Sequence, residues 1–189
     1  MSKWIVVSRV LTMKKRAQDR GKRSKNSELE STTAIYCDLL LGEGGSGLTI
    51  ACPEQLERSR LDFTLESLHV IDRYLGQVRA RQDGLERVIY LNTVVAAACY
   101  LGEVIRRGTP GGECHWLRAS AATHDDTHTG INLGDFADIM LGAKGADQPL
   151  RLTRVVARIA SGAAPLASTY EYAVVAMKRI WISATTADR

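Results

Sequence analysis

The sequence predicts an α+β domain in which helices pack on one face of a small, mainly antiparallel sheet. Apolar side chains recur every three or four residues in the ranges 64–82, 85–107 and 166–182, which is the spacing of helices with one buried face. After residues 109–112 the period shortens, as expected of strands. Because 45% of the 189 residues are hydrophobic and only 6% are aromatic, the core must consist mainly of Leu, Val, Ile and Ala.

Charge divides the chain into two parts. Residues 1–25 carry nine basic side chains and one acidic side chain, a net charge of +8, whereas the remainder carries 16 basic and 20 acidic side chains and nets −4. We therefore predict a basic N-terminal arm over residues 1–27 and a single, mildly acidic domain over residues 28–189. An arginine-rich, acid-poor N-terminus is also typical of an organelle transit peptide.

The first part of the domain leaves one choice open. Apolar positions within residues 28–41 fit one face of a helix, but a strand over residues 34–41 is the alternative. The glycine-rich residues 42–47 must form a loop. Residues 48–52 are predicted to be a short strand, because they are apolar and are followed by Pro53.

Two helices are then predicted. Thr64 is a suitable N-cap for the first, whose buried face repeats at helical spacing. That face consists of Leu65, Leu68, Ile71, Leu75 and Val78. The second helix covers about residues 85–107, and its centre is apolar nearly all round, which indicates neighbours on several sides. Arg106 and Arg107 suit its C-terminus, and the spacing of Glu103 and Arg107 predicts a local ion pair.

The sheet is predicted from the segment after the second helix. Residues 113–122 are expected to form a strand with Trp116 buried, and residues 123–129 to form a polar turn. Ile131 and Leu133 would begin a second strand and complete a hairpin. Residues 136–141 are either a third strand or a helical turn.

Two more helices complete the expected domain. Pro149 is suited to the first position of a helix that ends at Ser161 and Gly162. The last helix, about 166–182, is expected to bury one stripe of side chains. That stripe consists of Leu166, Tyr170, Ala173, Val174, Met177 and Trp181.

The densest cluster of ligand-type side chains lies on the predicted polar turn. His124, Asp126 and His128 could supply some of the ligands of a divalent metal in a metal-dependent hydrolase, but a solvated hairpin tip explains the same residues. The glycine loop matches the G-x-G-x-x-G pattern, yet an apparent strand follows it where a dinucleotide site needs a helix. We therefore expect no cofactor.

Other features also favour a protein that is not an enzyme. No G-x-S-x-G motif marks a nucleophile. Cys114 and His115 are adjacent on a strand and would point to opposite faces. The four cysteines lack C-x-x-C spacing, and neither a clear secretory signal nor an apolar run approaching membrane length is evident. These observations predict a cytoplasmic protein with reduced thiols and no membrane partner.

Three sequence stretches resemble a family of small bacterial α+β domains. Residues 61–68 read LDFTLESL, residues 100–107 read YLGEVIRR, and Gly112 precedes Trp116 in a Gly-Gly-x-x-x-Trp pattern. The family's first motif has Ser where this chain has Thr64. The resemblance covers about residues 61–175 and implies stand-alone cytoplasmic proteins, some of them immunity or accessory partners of secreted toxins. It implies no catalytic residue.

Two functional hypotheses follow. The first is a non-catalytic protein-binding module of the immunity or antitoxin-like kind, whose acidic side chains contact a basic toxin or complex subunit. Its candidate contacts are Asp125, Asp126, Asp135 and Asp138. The second is a nucleic-acid-associated protein that neutralises phosphates with its arm. Its candidate contacts are Lys14, Lys15, Arg16, Arg20, Lys22, Arg23 and Lys25. The oligomeric state is left open by the sequence.

Overall fold

The structure, a computed structural model, describes residues 28–43, 47–109, 113–118, 139–144, 146–163 and 168–187. Over these ranges the chain forms five α-helices and a three-stranded antiparallel sheet against which helices pack, which confirms the α+β class. The elements in chain order are α1 (residues 28–41), α2 (Leu68–Ala80), α3 (Arg87–Gly108), β1 (Cys114–Arg118), β2 (Ile139–Ala143), β3 (Leu150–Arg151), α4 (Leu152–Ser161) and α5 (Thr169–Ala187). Single 3₁₀ turns lie at Pro53–Gln55, Arg58–Arg60 and Gln82–Gly84.

The segment before α2 differs from the predicted strand. Residues 28–41 are helical, so the helical alternative is correct, but residues 48–52 form no strand. Two side chains of α3 make hydrogen bonds with the backbone of this segment instead. The Ala51 N–H donates to Thr93 Oγ1 (2.8 Å), and Asn92 Nδ2 donates to the Thr49 carbonyl (3.1 Å). Cys52 then turns the chain with a left-handed φ of 47°.

Helix α2 begins later than the periodicity predicts. Asp62 Oδ1 accepts hydrogen bonds from the Thr64 backbone N–H (3.0 Å) and from Thr64 Oγ1 (2.6 Å). Phe63 has φ +61°, which no helix accommodates. Residues 62–67 are therefore a series of turns. The predicted core positions from Leu68 onward are buried.

Helix α3 is the central element. Residues 94–101 are at most 1% exposed, and the helix packs on α4, α5 and β2. It also corrects the expectation that no apolar run approaches membrane length. By length and composition α3 could cross a membrane, with a mean hydropathy of 1.7, but 72% of its 18-residue apolar window is buried inside the protein. Its apolar surface forms the protein core.

The sheet has the order β1-β2-β3, and α3 and α4 contact its central strand. Strand β1 pairs with β2, placing Trp116 opposite Leu141, and both side chains are buried. The described partner of β1 is therefore Ile139–Ala143. The predicted strand beginning at Ile131 and Leu133 lies outside the described residues and stays a prediction. Residues 136–141 were predicted to be either a strand or a helical turn, and the described residues 139–141 form a strand.

The last two helices correct two further details. Pro149 does not begin a helix, because Leu150–Arg151 first pairs with β2, and α4 starts at Leu152. Gly162 ends α4 as predicted, with a left-handed φ of 76°.

Helix α5 buries only part of the predicted stripe: Ala173 is buried, Tyr170 and Met177 are partly buried against the core, and Leu166 lies outside the described residues. Its buried residues are Thr169, Ala173, Ala176 and Ile180, whereas Val174 and Trp181 are 41% and 66% exposed. The helix contacts both α2 and α3. Small side chains permit close helix approach, so alanines face inward while several of the largest apolar side chains remain outside.

Candidate functional site

The sequence-predicted site residues all lie outside the described part of the chain. They are the aspartates Asp125, Asp126, Asp135 and Asp138, the metal candidates His124, Asp126 and His128, and the basic side chains of the arm. They stay predictions. Within the described ranges, no group of three or more His, Cys, Asp or Glu side chains is placed to hold a metal ion.

The described residues do bring together two of the motifs that carry the family resemblance. The Phe63 ring, from the first motif, stacks on the Tyr100 ring of the second, with centroids 4.7 Å apart and an interplanar angle of 22°. The guanidinium carbon of Arg107 lies 3.8 Å from the centroid of the Phe63 ring, a cation–π geometry. The first two motifs of the resemblance thus form one contact cluster.

Phe63 occupies a backbone conformation that costs energy for a residue with a side chain. A chain of hydrogen bonds holds it there. The Phe63 N–H donates to Tyr100 Oη (2.9 Å), Tyr100 Oη and Ser67 Oγ are 2.7 Å apart, and Ser67 Oγ donates to the Thr64 carbonyl (2.6 Å). Because the single Ser67 hydroxyl proton goes to Thr64, Tyr100 donates to Ser67. Burial raises the pKa of Tyr100, which keeps this donor protonated.

The end of α3 places two guanidinium groups on one carboxylate. Glu103, with 12% of its side chain exposed, accepts from Arg106 Nε (3.0 Å) and Arg106 Nη2 (2.8 Å) and from Arg107 Nε (3.4 Å). The predicted Glu103–Arg107 pair is confirmed, and the two-pronged bond to Arg106 is the shorter one. Charge-assisted bonds of this kind fix side-chain orientation. Both arginines are thus partly neutralised and held at one wall.

These groups line a cleft of about 460 Å³ between α1, the Phe63 turn, the end of α3 and β1. Its apolar lining includes Cys37, Leu41 and Trp116. Its charged lining consists of Glu30, Asp38, Glu43, Glu103, Arg106 and Arg107. Four carboxylates therefore face two guanidinium groups, so the lining carries net negative charge.

One face of α1 forms a whole side of the cleft. Its lining residues have the spacing of a single helical face. They are Glu30, Thr33, Ala34, Cys37, Asp38 and Leu41. Sequence reasoning missed Glu30 and Asp38. Their eight-residue spacing puts them on one face only if residues 28–41 are helical throughout, and the sequence left a strand over residues 34–41 open.

The four cysteines are free and differ in burial, which gives a testable difference in reactivity. Burial raises the pKa of Cys37 to about 12 and that of Cys99 well above its usual value, whereas Cys52 and Cys114 are half-buried. We expect Ellman's reagent to modify Cys52 and Cys114 quickly in the native protein. Cys37 should react roughly a thousandfold more slowly, because the thiolate is the nucleophile and little of it is present.

The measurement is a time course with peptide mapping, repeated in denaturant, where all four thiols should react at similar rates. Rapid modification of Cys37 in the native protein would contradict its burial in the core.

A scan against protein-family models, a search of curated proteins and a search of solved structures each found no match to this chain. The cleft is therefore interpreted from the chemistry of its lining residues. The resemblance of residues 61–68 and 100–107 to small bacterial domains accordingly stays a prediction. On its chemistry, the cleft presents an apolar floor and an excess of carboxylates, a combination suited to side chains with an apolar stem and a cationic end.

Proposed function

We propose that this protein is a non-catalytic protein-binding module whose cleft accepts a basic segment of a partner protein. One observation carries the proposal: the cleft combines apolar side chains with net negative charge, and its two arginines are already bound by Glu103. Lysine and arginine side chains have the matching chemistry, because their stems cover apolar surface while their charged ends pair with carboxylates.

The rigidity of the cleft wall supports binding. The hydrogen bonds from Phe63 through Tyr100 and Ser67 fix the turn, and the bonds to Glu103 fix both arginines. A preorganised wall loses little side-chain freedom when a partner docks, so more of the contact energy remains as affinity. Complementary charge also raises the rate of encounter with a basic protein.

The finer proposal is an immunity or antitoxin-like protein in a bacterial cytoplasm. It is supported by the family resemblance and by the net charge of −4 on residues 28–189, since many toxins that act on nucleic acid are basic. The predicted contacts Asp125, Asp126, Asp135 and Asp138 belong to the same proposal and would add acidic groups to the partner surface.

The test is affinity capture from a lysate of the source organism with three forms of the full chain. One is the native sequence, one carries Glu30→Gln, Asp38→Asn and Glu43→Gln in the cleft, and the control carries Asp83→Asn, Glu86→Gln and Asp147→Asn outside it. We expect one basic protein, retained stoichiometrically by the native and control forms.

The cleft variant should retain that protein at least about tenfold less, which corresponds to about 1.4 kcal/mol of binding free energy. Binding of the purified partner to each form by calorimetry gives the same comparison quantitatively. Equal affinity for all three forms would remove the cleft from the proposal, and the absence of any protein partner would remove the proposal itself.

The charge of the arm favours a second candidate function, nucleic-acid association. Residues 1–25 carry a net charge of +8, enough for several phosphate contacts. If the arm binds nucleic acid, the full chain should bind duplex DNA or RNA at low salt, with an affinity that falls steeply as salt rises. A chain lacking residues 1–27 should not bind. Absence of binding by the full chain at low salt would eliminate this function.

A further inference from the structure

The acidic cleft is formed in part by the helix that directly follows the basic arm. Glu30 lies in the first turn of α1 as described and lines the cleft, and only four residues separate it from Lys25. Residues 14–25 carry seven basic side chains and one acidic side chain, a net charge of +6. A cleft with excess negative charge is therefore tethered to the most basic segment of the same chain.

We propose that residues 14–25 bind in this cleft and act as an intramolecular competitor of the basic partner. The competition rests on the proposed function, whereas the binding of the arm is an independent property of the chain. The occupant follows from charge: of the four lining carboxylates, only Glu103 is in ion pairs with described residues. The described ion pairs do not include Glu30, Asp38 or Glu43.

The arm is long enough to follow the cleft. From Glu30 to Leu41 the lining face of α1 rises about 17 Å, at about 1.5 Å per residue. Twelve residues in an extended conformation span up to about 40 Å. In the proposed complex, residues 26 and 27 connect the arm to α1, and residues 14–25 run back along the helix with basic side chains beside the carboxylates at both ends of that face.

Tethering makes even a weak contact effective. A short linker gives an effective concentration on the order of millimolar, so a segment with millimolar affinity would occupy the cleft about half of the time. Because the contact is electrostatic and exposed, rising salt should release it. A partner that binds in the cleft must displace the arm, which lowers the partner's apparent affinity by the occupied fraction.

The direct test is zero-length cross-linking of the full chain with a water-soluble carbodiimide, which joins lysine amines to carboxylates in contact. Mapping by tandem mass spectrometry is expected to show cross-links from Lys14, Lys15, Lys22 or Lys25 to the cleft carboxylates. Mixing isotopically labelled and unlabelled chains separates cross-links within one chain from those between chains. The cross-links should disappear at about 0.5 M salt, where the Debye length is only a few ångströms.

A matched pair of variants gives a second readout. Trypsin should cleave the arm about twofold faster in the variant with Glu30→Gln, Asp38→Asn and Glu43→Gln than in the native chain, because a cleft that is occupied about half of the time protects about half of the arm population. The three exchanged side chains are exposed, so the fold should persist, and an unchanged circular dichroism melt verifies this. The control variant with Asp83→Asn, Glu86→Gln and Asp147→Asn should be cleaved at the native rate.

Cross-links spread evenly over Asp83, Glu86, Asp147 and the cleft, or equal cleavage of all three forms, would overturn the proposal. Neither measurement involves a partner protein. A negative result here together with successful partner capture would therefore reject the arm as occupant and leave the binding module in place. Cross-links to the cleft without any captured partner would keep the arm as occupant and reject the binding module.

Discussion

Replacing Gly102 with alanine should destabilise the protein by about 3 kcal/mol, the upper part of the range for overpacked cores. A Cβ atom at this position would lie 2.1 Å from Trp116 Cη2 and 2.7 Å from Leu152 Cδ1. All three residues are almost fully buried, so neither neighbour can move without disturbing the contacts of α3 with β1 and α4. Urea unfolding followed by circular dichroism measures the change in the free energy of unfolding.

Gly76→Ala is the matched control. Gly76 also lies inside a helix, α2, but nothing lies within 4 Å of the position that its Cβ would occupy. Alanine has the higher helix propensity, so this exchange should stabilise the protein by about 0.5–1 kcal/mol. Opposite signs for the same chemical change are the expected result. A loss of less than about 1 kcal/mol in Gly102→Ala would show that Trp116 can move away.

Replacing Asp72 with alanine should cost about 2–3 kcal/mol, because a partly buried carboxylate then stops capping α5. Asp72 Oδ1 accepts hydrogen bonds from the Thr169 backbone N–H (2.6 Å) and Thr169 Oγ1 (2.7 Å), and Oδ2 accepts one from the Tyr170 N–H (3.4 Å). These amides are at the start of a helix, where no carbonyl of the preceding turn is available. Thermal and urea unfolding measure the loss in the free energy of unfolding.

The Asp72→Asn variant separates the contribution of the charge from that of the hydrogen bonds, because the amide oxygen of the asparagine can still accept hydrogen bonds from Thr169. We expect about half of the alanine effect in that variant. Hydrogen exchange adds a local test, because the amides of Thr169 and Tyr170 should lose protection before those of α3. Unchanged exchange in the alanine variant would mean that Ser168, which accepts from the Glu171 N–H at 3.0 Å, suffices as a cap.

The parts of the fold that sequence could predict depend on local chemistry. Helix α3 and the end of α4 at Gly162 follow from apolar spacing, a glycine stop and terminal arginines. The predicted stripe of α5 was wrong at Val174 and Trp181, which are exposed, because the helix buries Ala176 and Ile180 instead where it contacts α2 and α3. Only the assembled structure shows how closely helices approach.

The candidate site was predictable only in fragments. The motifs containing Phe63 and Tyr100 stand out in the sequence, but the two residues are 37 positions apart, and their stacking depends on a left-handed turn at Phe63 that no propensity indicates. Similarly, the segment around Ala51 resembles a strand, yet it bonds to the Thr93 side chain 42 residues later. Pairings of this kind are set by tertiary structure.

The Asp72–Thr169 contact also has a consequence for the order of folding. It joins residues 97 positions apart, so α2 obtains its full set of neighbours only when a late segment of the chain arrives. Contacts of such sequence separation slow folding, because a long loop must close before they contribute. During synthesis, α2 and α3 would therefore exist for a time with the apolar faces that α5 later covers still open, and a nascent chain at that stage is a natural client for a chaperone.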